Sequence, residues 1–263
     1  MDTVVTAGGI PGVDEPLYSY TQGQPKALLE LAGKPMAQWV LDALSGAAQI
    51  GRVVVVGLDE SNGLTCTKPV AYCPNQGGML ENILFGIQKI MSLDPSAQHV
   101  LLVSSDIPGI KPEMVDWVVT NAMQTDDDLY YHLITKADME KRYPASNRTY
   151  VKLKDAMICG GDMNIVATRT VNKNLDKWKK LIAARKNPLK QASMLGLDTL
   201  VLVALRAITV EGAVKQFTRR LGMTGRAVMC PYAEVGMDVD KPHQLELMRV
   251  DLIKSSTNKN LEC

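Results

Sequence analysis

The chain has 263 residues, 46% of them hydrophobic, which is enough to bury a substantial core in one α/β domain. Its 29 basic and 28 acidic residues nearly cancel, so the overall charge gives no reason to expect a nucleic-acid partner. Five cysteines without a Cys-x-x-Cys pair argue against a disulfide framework and against a structural zinc site. No stretch has the pattern of a signal peptide or a transmembrane segment, and we therefore expect a cytoplasmic protein.

In the first half of the chain, apolar runs alternate with amphipathic stretches. The predicted strands are residues 4–6, 52–57 and 100–104, and the predicted helices are residues 36–44, 82–91 and 112–123. The strand at 52–57 has continuous β-branched residues, which is typical of a strand buried on both faces. The pattern predicts a doubly wound, mostly parallel sheet in a single Rossmann-like α/β domain over residues 1–263.

The second half is less regular. Residues 126–128 are three aspartates and predict a solvated turn, and residues 150–154 alternate like a strand. Residues 158–166 contain a glycine-rich turn that leads into another strand. The basic stretch 172–191 has apolar residues at helical spacing, and we interpret it as a solvated face over a core-facing stripe rather than a surface for an anionic acceptor or a membrane. The apolar stretch 194–205 is predicted to be a buried element.

The first predicted strand runs directly into Ala7-Gly8-Gly9, and Lys26 follows at a short distance in the sequence. Small residues after a strand let the backbone approach a ligand and leave its N–H groups free for phosphate oxygens, while a nearby lysine supplies positive charge. This layout predicts a nucleoside triphosphate site. The alternative is that the glycines form only a flexible turn and that Lys26 is a solvated loop charge.

Asp106 lies just past the predicted strand at 100–104, and Gly78 opens a predicted helix. In an open α/β sheet, ligands bind at the carboxyl ends of the strands, so Asp106 is a candidate functional residue. The alternative for Asp106 is a turn residue before Pro108.

Four further segments follow Ala7-Gly8-Gly9 in a fixed order: residues 24–36, 77–87, 101–108 and 236–245. Together they resemble the signature of the MobA-like nucleotidyltransferases, in the nucleotide-diphospho-sugar transferase superfamily. The resemblance covers nearly the whole chain. It implies a nucleotidyltransferase (EC 2.7.7 type) that transfers a nucleoside monophosphate from a nucleoside triphosphate to a phosphorylated small molecule and releases pyrophosphate.

The resemblance also assigns roles to residues, with Lys26 as the catalytic phosphate clamp. The nucleotide-binding residues it implies are Ala7, Gly8, Gly9, Gly77, Gly78 and Asn82. On the acceptor side it implies Gly160, Gly161 and Asn164, within a probable insertion at residues 126–170. Neither the base nor the acceptor can be read from the sequence, and a homodimer is compatible with it without any specific supporting feature.

A Mg²⁺ ion would bridge the phosphates, and Mg²⁺ prefers one or two carboxylates together with phosphate oxygens and water. The resemblance gives Asp106 as the first ligand and favours Asp240 as the second. In an extended segment Asp238 and Asp240 would lie on the same side, so Asp238 stays an alternative. Asp240 is also a natural N-cap for the helix that follows Lys241-Pro242.

One departure concerns the phosphate loop, where residues 10–16 contain Asp14 and Glu15 but lack the arginine usual in the family. Arg148, Arg169 and Arg219 are candidate substitutes. Two alternative functions therefore stay open. The first is a nucleotide-binding regulatory protein that has lost catalysis, which the missing arginine would explain. The second is a nucleotide-sugar-dependent glycosyltransferase, because residues 238–240 match an Asp-x-Asp metal motif.

Overall fold

The computed structural model describes residues 1–173 and 196–259. A nine-stranded mixed sheet runs through these residues, and a separate two-stranded sheet consists of β2 and β3. The strands are β1 (Asp2–Thr6), β2 (Glu30–Leu31), β3 (Lys34–Pro35), β4 (Val53–Val56), β5 (Val70–Cys73), β6 (His99–Ser104), β7 (Leu129–Thr135), β8 (Val151–Lys152), β9 (Met157–Gly160), β10 (Met163–Ala167) and β11 (Gly225–Met229).

The helices flank the large sheet. They are α1 (Tyr18–Thr21), α2 (Met36–Gly46), α3 (Met79–Leu93), α4 (Pro112–Ala122), α5 (Lys136–Arg142), α6 (Arg169–Lys173), α7 (Leu197–Ala204), α8 (Val210–Arg220) and α9 (Pro242–Lys259). Within the described ranges, no helix has the length and apolar character needed to cross a membrane.

The strand order is β5-β4-β1-β6-β10-β7-β9-β8, and β11 pairs with β7. The first four strands are parallel to one another, so their carboxyl ends meet at one edge of the sheet. Strand β10 is antiparallel to β6 and begins at that same edge, where Met163 lies opposite Val103. This arrangement confirms the predicted Rossmann-like α/β class, with a sheet that is parallel in its first half and mixed in its second.

The core lies on both faces of the parallel strands. Along β4, Val53 and Val55 pack into the cluster that includes α2 and α4, whereas Val54 and Val56 pack into the cluster that includes α3. All four valines are fully buried. The continuous β-branched run therefore arises because helices cover both sides of the strand, as predicted.

In the second half, the glycine-rich turn predicted within 158–166 leads into strand β10 as expected, whereas two other predictions differ from the structure. Of the strand predicted at 150–154, only the two residues of β8 are paired, at the edge of the sheet. The prediction of a buried element at 194–205 is wrong for its described part, because Val201 and Leu205 in and after α7 are 54% and 70% exposed. Only one side of α7 packs, through Leu202 and Val203, against a small satellite cluster of the core. The basic stretch 172–191 lies almost entirely outside the described residues.

Residues 126–170 contain β7, α5, β8, β9 and β10, so this segment contributes strands to the large sheet. Its designation as an acceptor-side insertion stays a prediction, as does the assignment of residues 1–263 to a single domain.

Candidate functional site

The turn after β1 is a close approach of two backbones. Gly57, at φ +107°, follows β4, and a Cβ atom there would lie 2.2 Å from the Cα of Gly8. A Cβ on Gly8 would in turn lie 2.7 Å from the side chain of Asn75. Side chains are therefore excluded at both glycines. No hydrogen bond within the described residues uses the N–H groups of Gly8, Gly9 or Ile10, so these donors are free for a ligand.

A cleft of about 390 Å³ opens beside this turn, at the carboxyl ends of the parallel strands. It contains every predicted nucleotide-side residue except Ala7, which is buried beneath it, together with Lys26 and Asp106. The residues of the cleft wall that were not predicted are Thr6, Ile10, Ala27, Asn75, Met79, Ser104 and Ser105. Its position agrees with the rule that ligands of open α/β sheets bind where parallel strands end.

Asn75 is the centre of a hydrogen-bond network in this cleft. Its amide nitrogen donates to the Gly8 carbonyl at 2.7 Å, and its amide oxygen accepts from the Gly77 N–H at 3.0 Å and from Asn82 at 3.1 Å. The side-chain oxygen of Asn82 accepts from the Gln76 N–H at 2.7 Å. Both ends of the Asn82 amide are thus used to shape the turn at residues 75–78. Asn75 was missed because strand β5, which precedes it, was not predicted.

Lys26 lies between two carboxylates. Its Nζ is 2.6 Å from Asp106 Oδ2 and 2.6 Å from Asp240 Oδ1. The side chain of Lys26 is only 16% exposed, so it is not a solvated loop charge, whereas Asp240 is 56% exposed. Burial lowers the pKa of Lys26, but the charges of and hydrogen bonds to the two aspartates outweigh it and raise the pKa above its ordinary value. Lys26 is therefore held as a cation.

Backbone hydrogen bonds bring these three residues together from distant parts of the chain. The Val239 N–H donates to the Asp106 carbonyl at 2.9 Å, and the Lys26 N–H donates to the Gly9 carbonyl at 2.8 Å. The start of α9 is capped by Gln244, whose side-chain oxygen accepts from the N–H groups of Asp240 and Lys241 at 3.0 Å each. The Asp240 carboxylate contacts Lys26.

The pair Asp106 and Asp240 fits a divalent metal ion. Asp106 Oδ1 is buried and has no hydrogen-bond partner in the described part of the chain, so no other described group occupies this carboxylate oxygen. Residues 1–173 and 196–259 contain no cluster of three His, Cys, Asp or Glu side chains able to hold a metal. Mg²⁺ does not require one, since it uses one or two carboxylates and completes its shell with water and phosphate oxygens.

Asp162 and Arg148 are charged residues beside this pair. Arg148 was a candidate substitute for the missing arginine, whereas Asp162 was not predicted to be a site residue. The Asp162 carbonyl accepts from the Ser104 N–H at 3.0 Å, and the Asp162 N–H donates to the Val235 carbonyl at 2.8 Å. Burial, and after it the charge of Asp106, raises the pKa of Asp162 to about 7. The sequence predicted the Gly160-Gly161 turn, but it gave no role to Asp162, which follows that turn.

Of the three arginines considered as substitutes for the missing one, only Arg148 is at this site. It contacts the carboxylate of Asp238 and lies 3.5 Å from the Gly160 carbonyl. Arg169 instead pairs with Asp126 and Asp128 beside the turn before β7. Arg219 lines a different cavity, between α8 and β11.

The predicted acceptor-side residues flank Asp162 but do not line the cleft. The side chain of Asn164 accepts from the His132 N–H at 2.9 Å and donates to the Gly161 carbonyl at 2.8 Å. It therefore joins β10 to β7 within the sheet. Gly160 meets the site through its carbonyl, which faces Arg148. Their contact with an acceptor stays a prediction.

Comparison with known proteins adds the family. The model of the MobA-like NTP transferase domain matches residues 4–224. A solved structure described as a hypothetical transferase from Thermus thermophilus is 31% identical, with a TM-score of 0.80 over 93% of this chain and 98% of its own. A comparison with curated proteins gives no match.

Two more distant structures share the fold. CMP:2-keto-3-deoxy-manno-octonic acid synthetase complexed with CTP is 16% identical, with a TM-score of 0.58 over 97% of this chain and 99% of its own. The 4-diphosphocytidyl-2C-methyl-D-erythritol synthase from Anaerococcus prevotii DSM 20548 is 12% identical, with a TM-score of 0.59 over 95% of each chain. Given the match over most of its length, the chain belongs to the MobA-like NTP transferase family and is a nucleotidyltransferase.

Proposed function

We propose that the protein transfers a nucleoside monophosphate from a nucleoside triphosphate to a phosphorylated small molecule, depends on Mg²⁺ and releases pyrophosphate. The observation that carries the proposal is the placement of Lys26 between Asp106 and Asp240, beside the unused N–H groups of Gly8 and Gly9. This combination places a cation, backbone donors and carboxylates in and beside the cleft, and those are the groups that a triphosphate and its metal require.

In the proposed reaction, a phosphate oxygen of the acceptor forms a bond to the α-phosphorus of the nucleotide. The bond between that phosphorus and the oxygen bridging to the β-phosphate breaks, and pyrophosphate leaves with the electron pair. Negative charge moves onto the leaving group, so catalysis consists mainly of positioning and charge neutralisation. The free N–H groups after β1 would hold phosphate oxygens, and the turn at Gly77-Gly78, shaped by Asn82, would contact the base or sugar.

Asp106 and Asp240 would hold the Mg²⁺ ion, which supplies charge neutralisation at the phosphates when bound. The geometry favours Asp240 over Asp238, because Asp240 shares Lys26 with Asp106 whereas Asp238 contacts Arg148. On binding of the nucleotide, the Lys26 ammonium would exchange its two carboxylate partners for phosphate oxygens. Its raised pKa keeps it protonated for that role.

The position of Arg148 is an argument for a phosphorylated acceptor. Arg148 is a cation on the side of the site that the family resemblance gives to the acceptor. The name of one structural neighbour, the 4-diphosphocytidyl-2C-methyl-D-erythritol synthase, describes a diphosphocytidyl product. For that protein, the name is consistent with a phosphorylated acceptor. A guanidinium is the side chain best suited to a phosphate group.

The first test is thermal unfolding with Mg²⁺ and each of CTP, GTP, UTP and ATP, because a ligand that binds only the folded state raises the melting temperature. We expect one nucleotide to raise Tm only when Mg²⁺ is present. Asp106→Asn should abolish that shift and lower turnover roughly 100- to 1,000-fold, since it removes charge at the metal site. Asp42→Asn is the matched control, because Asp42 pairs with Lys34 at 2.6 Å on the surface.

Pyrophosphate release is then measured with phosphorylated acceptors and with their dephosphorylated counterparts. Release with the phosphorylated set alone supports the proposal, and release with the dephosphorylated set refutes its acceptor class. Nucleotide binding with no release for any acceptor would favour the degenerate regulatory protein. Transfer of a sugar without pyrophosphate release would favour the glycosyltransferase alternative.

A further inference from the structure

We propose that Lys241 supplies the cation that the phosphate loop lacks, and that it holds the pyrophosphate portion of the nucleotide in a second cavity beside the cleft. This inference rests on the proposed function and adds to it a residue that the sequence pattern did not indicate.

The second cavity has a volume of about 460 Å³ and lies on the other side of the loop after β1. It shares Gly9, Ile10 and Lys26 with the nucleotide cleft, and Lys241 is part of its own wall. A triphosphate that binds with its first phosphate near Lys26 can therefore extend its outer phosphates past Gly9 into this cavity. The N–H groups of Gly9 and Ile10 are unused in the described part of the chain, and both residues line both cavities.

Lys241 is exposed and forms no ion pair with any described residue. The neighbouring Asp240 carboxylate is occupied by Lys26 and does not neutralise Lys241. The backbone of Lys241 is fixed, because its N–H donates to the Gln244 side chain at 3.0 Å at the start of α9. The result is an anchored backbone with an ammonium group that is free to reach an anion. Among the residues that the structure describes, no arginine lines this cavity.

The charges of the cavity wall show why this ammonium matters. Among the described residues of the wall, Glu15 and Asp240 are the carboxylates, and Lys26 and Lys241 are the ammonium groups. The Glu15 carboxylate accepts from the Gly12 N–H at 2.7 Å, so it is partly satisfied within its own loop but keeps its charge. Without Lys241, two carboxylates would face one cation, and the wall would repel a polyanion. With Lys241 the described side chains of the wall are balanced, two against two, while Lys26 is also shared with Asp106 of the adjoining cleft.

The test measures the affinity of the full chain for inorganic pyrophosphate with Mg²⁺ by calorimetry. We expect Lys241→Gln to weaken this affinity by about tenfold, the order expected for one lost charge-assisted hydrogen bond. Lys241→Arg should retain most of the affinity. Lys254→Gln is the matched control, because Lys254 is an exposed lysine farther along the same helix. Affinities for CMP, GMP, UMP and AMP should not change in any variant, since these ligands lack the outer phosphates.

Equal pyrophosphate affinity in the wild type, Lys241→Gln and Lys254→Gln would overturn the inference. So would a wild-type protein that binds a nucleoside triphosphate but not pyrophosphate, in which case the proposed function would stand. A tenfold loss in Lys241→Gln without pyrophosphate release for any acceptor would instead support the site and count against the proposed function. Unfolding curves without ligand should coincide for all the variants, which separates a binding role from a structural one.

Discussion

The two sides of the candidate site are built from different kinds of groups. The nucleotide wall, formed by Gly8, Gly9, Asn75 and Asn82, is neutral, and its amides bind one another and the backbone. The side that the family resemblance gives to the acceptor, called the acceptor wall below, comprises Arg148, Asp162 and Asp238 next to the cleft and is charged. On the acceptor wall, Asp162 Oδ2 and Arg148 Nε are buried and lack hydrogen-bond partners within residues 1–173 and 196–259.

This difference indicates what each wall contributes. A wall whose polar groups are satisfied internally is rigid before any ligand arrives, which favours binding. A wall with buried and incompletely paired charges lowers the stability of the ligand-free protein, because desolvation is not fully compensated. The nucleotide wall is therefore expected to depend on fit, and the acceptor wall on charge and pH.

The largest expected effect tests the fit of the nucleotide wall. Gly57→Ala places a Cβ 2.2 Å from the Cα of Gly8 and imposes a side chain on a residue at φ +107°. Because neither backbone can move without disturbing β1 or β4, we expect the free energy of unfolding to fall by about 4 kcal/mol. Denaturant unfolding measures it.

Gly63→Ala is the control for backbone conformation alone, because Gly63 has φ +67° and no atom within 4 Å of its Cβ position. It should cost only about 1 kcal/mol. Equal losses in the two variants would show that the close approach of Gly57 to Gly8 is not what makes the glycine necessary.

The next effect has the opposite sign and concerns the acceptor wall. An unfolded aspartate loses its proton near pH 4, whereas Asp162 keeps its proton up to a pKa of about 7. Between these two pH values the folded state therefore binds more protons than the unfolded state. The free energy of unfolding of the wild type falls as the pH rises through this interval. Asp162→Asn should thus be more stable than the wild type by about 2 kcal/mol at pH 8, and the difference should vanish near pH 4.

Asp128→Asn gives the reverse control in the same measurement. Burial raises the pKa of Asp128, but hydrogen bonds from Thr224 and Arg169 outweigh it and lower the pKa below its ordinary value. Asp128→Asn should therefore destabilise the protein at pH 8. A stability gain in Asp162→Asn that is the same at pH 4 and pH 8 would contradict the electrostatic explanation.

The smallest effect sharpens the account of the nucleotide wall. Asn82→Ala removes the amide that holds the Gln76 N–H and Asn75, so the turn at residues 75–78 loses its support. Water can reach this exposed turn, and we expect a loss of only about 1 kcal/mol in stability. The free energy of nucleotide binding should fall by more than the free energy of unfolding does. Asn121→Ala, which removes a bond to the Trp117 carbonyl on α4, is the control and should leave affinity unchanged.

The parallel half of the fold could be predicted from the sequence because its hydrophobic pattern has one cause, which is burial. Helices cover both faces of β4, so every position of Val53–Val56 must be apolar, and the pattern reports burial directly. Strand β5 was missed because it has only four residues and lies between Pro69 and Pro74, which are typical of loops. The apolar composition of α7 was misleading, since it does not specify which faces the rest of the fold covers.

The candidate site shows the same limit. Asp106 could be selected because it follows a strand, and strand ends define the ligand edge. Asp162 could not, because its position depends on pairing with Ser104 and Val235, which are far away in the sequence. Resemblance indicated Asp240, yet only the structure shows that Lys26 joins it to Asp106. Local patterns identify positions along an edge, whereas contacts between distant segments decide which charges meet.

The hydrogen bond between the Val239 N–H and the Asp106 carbonyl also bears on the order of assembly. Closing a loop of this length costs more entropy than forming nearer contacts, so contacts close in the sequence tend to form first. The four parallel strands end by Ser104, so they can form on the ribosome well before Asp240 is synthesised. We therefore expect a nascent chain to acquire its glycine turn early and its complete carboxylate pair last, which leaves incomplete chains without a functional centre.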